Sequence, residues 1–151
     1  YLRYEQTPEK AFLLLQNLIK RYPTNYYILS KFLESAYATQ QYDKIMPWMV
    51  DTLMDVDRTY YKMVGSIFRA AYLEFVEMDI KNAYIYYGKG VAFGKEILNH
   101  GEYFKSVGYL GLGRLSQRLG NVNTAKSYYN LCLKFAETRD IENAANLGLN
   151  P

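Results

Sequence analysis

Cysteine, histidine and tryptophan occur once each in the 151 residues, and proline four times. A single cysteine, Cys132, excludes a disulfide within the chain. The lone His100 has no cysteine near it in sequence, which argues against a His/Cys metal site. No stretch approaches the roughly 20 uncharged apolar residues a membrane helix requires; the longest apolar cluster, Ala11 to Leu15, is far shorter. Charge of one sign is missing too. The net charge is +3, divided as +1 before residue 76 and +2 after it, without the basic stripe of a nucleic-acid binder. Neither nucleic-acid contact nor membrane insertion is therefore expected. With 50% hydrophobic and 22% charged residues, the balance predicts a soluble folded chain and leaves cytoplasm and periplasm both open. The chain opens at Tyr1 rather than Met, so upstream sequence is expected to be missing and a targeting segment is not visible.

What the chain does hold is tyrosine, 17 of them, a residue that suits partly dry helix interfaces. Strict alternation is absent and apolar residues recur at three and four, which predicts helices alone. Thr7-Pro8-Glu9 reads as a helix start: a capping hydroxyl, a proline at the first helical position, an acid in the first turn. Ala11, Leu14, Leu15, Leu18 and Ile19 then share one face, and Pro23 stops the helix.

Self-similarity is strongest in segment 106–139, with Tyr109 at its position 4, Leu112-Gly113 at 7–8, Gly120 at the turn, Ala125 at 20, Tyr129 at 24 and Cys132 at 27. This pattern resembles the tetratricopeptide repeat. Small residues at 8 and 20 let two antiparallel helices approach, and larger ones at 4, 7 and 24 fill the seam. The same frame fits 64–97, with Ala70-Ala71, Ala83, Tyr87 and Gly90. It fits 26–59 more loosely, with Leu29, Phe32, Ile45 and Met49, and Leu33 in place of a small residue. Residues 8–23 read as half a repeat, and 141–151 as the start of a further helix near Ile141. Equivalent positions 11, 45, 83 and 125 lie 34, 38 and 42 residues apart, so the later repeats resemble the extended kind. The resemblance implies an all-α, right-handed α-solenoid of antiparallel helix pairs, cut from a longer array. The apolar run Phe12 to Leu15 suggests a missing neighbour and self-association through the cut ends.

In this family the concave wall is lined by positions 2, 5, 9 and 12 of first helices. Carried over, these are Tyr27, Ser30, Glu34 and Tyr37; Gly65, Phe68, Tyr72 and Phe75; and Val107, Leu110, Arg114 and Gln117. The family's Lys/Asn clamp for carboxyl termini is absent, since Ser30, Glu34, Phe68 and Tyr72 hold those places. Arg69, Arg114 and Arg118 offer carboxylate-binding forks but read first as solvated-face residues. Alanine at Tyr72 and Arg114 is expected to weaken binding without unfolding.

Catalytic and cofactor readings fare poorly. The segment KGVAFGKE, 89–96, lacks the first glycine of a phosphate loop and has Glu96 where Ser or Thr must hold the metal. Gly108, Gly111 and Gly113 fall inside a helix, where glycine costs about 1 kcal/mol against alanine unless close helix approach compensates. Cys132 fits a packing role, and His100 a surface one. Asp51, Asp55 and Asp57 lack the series of a calcium loop and read as caps for a helix starting near Arg58. Glu74 stands at a normally apolar position, so it is expected to be partly buried and paired with a cation or tyrosine hydroxyl. No metal, cofactor or catalytic constellation is predicted. The leading expectation is a scaffold that binds a protein or peptide. The alternatives are the sensor domain of a peptide-regulated transcription factor and an accessory domain of a cell-envelope protein.

Overall fold

The computed structural model describes residues 8–151, and all regular structure among them is helical. Eight α-helices follow in order: α1 (Pro8–Arg21), α2 (Tyr26–Ala38), α3 (Pro47–Met54), α4 (Thr59–Phe75), α5 (Ile80–Lys95), α6 (Glu102–Arg118), α7 (Val122–Phe135) and α8 (Arg139–Leu149). A short 3-10 turn, Tyr42–Lys44, precedes α3. Thr7 lies outside the described residues, while Pro8 and Glu9 open α1 as expected. No helix among the described residues is long and apolar enough to cross a membrane.

Each helix packs on its neighbours in sequence, most extensively α4 on α5 and α6 on α7. In addition α2 touches α4, α4 touches α6 and α6 touches α8, so the even-numbered helices form a continuous row. One apolar core runs the length of the described chain, from Phe12 on α1 through Leu33, Ile67 and Leu112 to Ala145 on α8.

Three turns repeat the same backbone device. Gln40, Met78 and Gly120 each have positive φ, at 58°, 56° and 84°. Each falls five residues before Ile45, Ala83 and Ala125 respectively. After α2 the amide of Gln41 donates to the carbonyl of Ala36, and after α6 that of Asn121 donates to Ser116. This six-to-one closure around a left-handed residue satisfies carbonyls that a helix end leaves unpaired. The turn after α4 closes one residue wider, Asp79 to Leu73.

At Gly108, Gly111 and Gly113 the helices do approach closely. A Cβ on Gly108 would stand 2.6 Å from both Ile67 and Val91, and one on Gly111 2.5 Å from the Tyr87 ring. One on Gly113 would stand 2.8 Å from the Tyr129 ring, which is the seam between positions 8 and 24. Cys132 is fully buried, and burial pushes its thiol up to about 12, so it packs rather than reacts.

Three expectations need correction. On α1 the buried residues are Phe12 and Ile19, while Leu14 is exposed with Leu13. The helix turns toward Phe12 because that ring meets Phe32, with centroids 5.1 Å apart. Ile45 is fully buried but precedes its helix instead of lying on it. Pro47 is the reason: it starts α3 at the first turn and holds Met46 extended at φ −87°, ψ 141°. The cap of α4 is Arg58, with no side-chain capping bond, so the acids before it do not cap. Asp51 instead lies on α3 and pairs with Arg69.

Candidate functional site

A groove of about 560 Å³ is bordered by α2, the Tyr42 turn, α6 and α8. Asn25 starts α2 by accepting from the Ile28 amide at 3.0 Å, which sets the phase that brings Glu34 and Tyr37 to the groove. Thr138 caps α8 in the same way, accepting from the Ile141 amide at 3.3 Å. That phase turns Ile141, Ala144 and Leu147 inward, at helical spacing. The floor is Leu110 and Arg114 of α6.

Tyrosines make the walls. Tyr37 is buried among Tyr42 and Phe68, with ring centroids 5.7 and 5.9 Å away. Tyr42 stacks on Phe75 at 4.0 Å, and Tyr103 lines the α6 side. Burial pushes the Tyr42 hydroxyl up to about 12 and raises those of Tyr37 and Tyr103, so all three stay protonated at neutral pH.

Beneath the floor lies a buried polar lock. Glu74, only 2% exposed, receives Nε and Nη2 of Arg114, both at 2.7 Å, and the Tyr87 hydroxyl at 2.7 Å. The guanidinium also covers the Phe75 ring at 4.9 Å. Glu74 is thus buried and doubly paired, as its apolar position required. Arg114 is no solvated-face residue: its side chain is 28% exposed and committed to Glu74. Arg69 pairs with Asp51, and only Arg118 is exposed as expected.

Of the residues assigned to the groove, Glu34, Tyr37, Leu110 and Arg114 line it. Phe75 supports the Tyr42 wall from behind. The others lie elsewhere. Phe68 and Val107 are fully buried core. Gly65 is buried, and a Cβ there would meet Met54 of α3 at 2.6 Å. Ser30 is buried and donates to the Tyr26 carbonyl at 2.6 Å. Tyr27 is 65% exposed with Lys31 over its ring, and Gln117 is exposed, accepting from the Tyr129 hydroxyl. Tyr72 and Arg69 line a separate cleft of about 220 Å³ beside α3. Tyr42, Tyr103 and the α8 residues were not anticipated. Periodicity gave the only available signal: Ile141, Ala144, Ala145 and Gly148 recur at three and four.

His100 is exposed and stacks on Tyr60, with ring centroids 5.6 Å apart. Among the described residues no cluster of His, Cys, Asp or Glu is placed to hold a metal. No family model matches the chain, and neither a curated protein nor a solved structure matches it.

Proposed function

We propose that this chain is a helical-repeat binding module of the tetratricopeptide type, holding a peptide or helix of another protein in the groove between α2, α6 and α8. The observation that carries this reading is the groove itself: about 560 Å³, tyrosine-walled, with an apolar strip along α8 and carboxylates in its lining. Concave sites of a few hundred Å³ with an apolar lining and few polar groups are where ligands are held, and aromatic anchors dominate such interfaces. The repeat assignment draws support from two features. Left-handed residues stand at the same register position in three successive turns, and the even-numbered helices touch each other in order. The groove residues form no nucleophile–base pair, and its one arginine is held by Glu74.

Peptides selected from a random display library on this protein test the reading, mapped by hydrogen exchange. Protection is expected in α2 and α8, with Asn143→Trp, which fills the groove from an exposed position, abolishing binding. Protection confined to α3, α5 and α7, with full binding by the Asn143→Trp variant, rejects it.

A further inference from the structure

The charges around the groove say which peptide it takes, given the reading above. Two carboxylates line it, Glu34 from α2 and Asp140 from the first turn of α8. Glu137 adds negative potential on the Glu34 side. The one cation among the lining residues, Arg114, has both Nε and Nη2 bound to buried Glu74 and has little attraction left for a ligand carboxylate. Glu34 has one partner, Lys31, 3.6 Å away on the preceding turn and 45% exposed. A partly exposed pair of this kind is weak, so an incoming cation displaces it readily. Tyr42 and Tyr103 line the same groove, and an aromatic ring face attracts cations. The open apolar lining is Leu147 with half-buried Ala144, set on the nearly buried Leu110 and Ile141.

We infer that the groove's occupant is a cationic amphipathic peptide segment, its Lys or Arg side chains reaching Glu34 and Asp140 and its aliphatic side chains lying on Leu147 and Ala144. An acidic segment is repelled by the same carboxylates. The whole chain carries +3, so non-specific attraction works the other way and favours an acidic peptide. A preference for the basic one therefore reports the groove.

The test uses two fluorescein-labelled, amidated dodecapeptides, Leu-Leu-Lys-Ala repeated three times and its Glu-for-Lys twin, titrated by anisotropy at low and moderate salt. The lysine peptide is expected to bind and the glutamate twin to bind at least about tenfold more weakly. The double variant Glu34→Gln/Asp140→Asn is expected to lose about tenfold for the lysine peptide, as two partly shielded ion pairs would give. Equal or tighter binding of the glutamate twin, no binding of either peptide, or an unchanged affinity in the double variant overturns the inference. Asn143→Trp separates this failure from that of the groove. Binding lost in Asn143→Trp but kept in the double variant leaves the groove standing without its charge rule. Binding kept in both removes the groove as well.

Discussion

Helix pairs α4/α5 and α6/α7 are seated on one another, whereas α2 and α3 barely meet and α3 leans on α4 instead. The central pairs bring glycine backbone against side chains: Gly90 and Gly108 against Ile67, Gly111 against Tyr87, Gly113 against Tyr129. They also share the Glu74–Arg114–Tyr87 lock, which ties α4, α5 and α6 together. The first pair has neither. Leu33 fills the place of the small residue, and Pro47 cuts α3 to eight residues, leaving Trp48 42% exposed. Register alone does not make a tight pair. A left-handed residue closes the turn in both regions, and the difference lies in whether small residues let the helices close.

The largest expected effect tests the lock against the looser region. Arg114→Ala leaves the Glu74 carboxylate buried without its cation, which costs about 3 kcal/mol or more in urea unfolding. That cost makes Arg114→Ala a poor probe of binding, contrary to the expectation drawn from sequence. Replacing all three partners, Glu74→Leu with Arg114→Met and Tyr87→Phe, recovers most of the loss, because apolar replacement of a buried pair is often nearly neutral once no buried hydroxyl is left unpaired. Lys31→Ala, which breaks the exposed pair of α2, changes stability by less than about 0.5 kcal/mol. Equal costs for Arg114→Ala and Lys31→Ala would erase the contrast.

Glycine supplies the next test. Gly111→Ala drives a methyl into the buried Tyr87 ring, and Tyr87 cannot yield without losing its bond to Glu74. Overpacking of this kind costs about 1–3 kcal/mol. Gly88→Ala on α5 meets nothing within 4 Å and is expected to stabilise by about 0.5–1 kcal/mol. Matched thermal unfolding of the two variants checks both signs.

These contacts show where sequence reading succeeds and where it stops. The helices, the close approach at Gly108, Gly111 and Gly113, and the burial of Glu74 follow from spacing and from the cost of an unpaired carboxylate, so they were legible. The phase of α1 was not, because Phe12 and Leu14 are equally apolar and only the position of Phe32 chooses between them. Most of the groove escaped for a related reason. Positional analogy places residues on a helix face, but Phe68 and Val107 share that face and are fully buried by neighbouring helices. Whether a ring is core or anchor depends on packing across 30 or more residues of sequence, such as Phe68 against Phe104.

A smaller effect separates the turns. Met78 adopts φ 56° with its side chain 67% exposed, while Gly120 holds φ 84° at the matching place. A left-handed conformation costs a non-glycine residue about 1–2 kcal/mol, offset in part by the larger entropy glycine loses on folding. Met78→Gly is thus expected to stabilise by up to about 1 kcal/mol, and Gly120→Ala to destabilise by a similar amount. Unfolding midpoints in urea report both; a loss on Met78→Gly would mean that the wider closure after α4 relies on the Met78 side chain.

Glu34 closes the series because its effect on stability is slight and its sign informative. Burial in the groove wall raises its carboxyl above the ordinary range, with Lys31 opposing and Glu137 adding to the shift. A carboxyl whose folded-state pKa is raised favours folding only while protonated, and that contribution is lost as pH rises through the folded value. Ionised Glu34 therefore sits at a cost, and Glu34→Gln is expected to raise stability slightly at neutral pH. Below about pH 4, where the side chain is protonated folded or unfolded, the gain disappears. Tyr42, stacked on Phe75, and Leu110 are untouched by the change, so the groove keeps its shape. If the same variant binds the lysine peptide more weakly while unfolding later, the carboxylate is kept for recognition at the expense of stability. If both quantities fall together, Glu34 is a structural residue of α2.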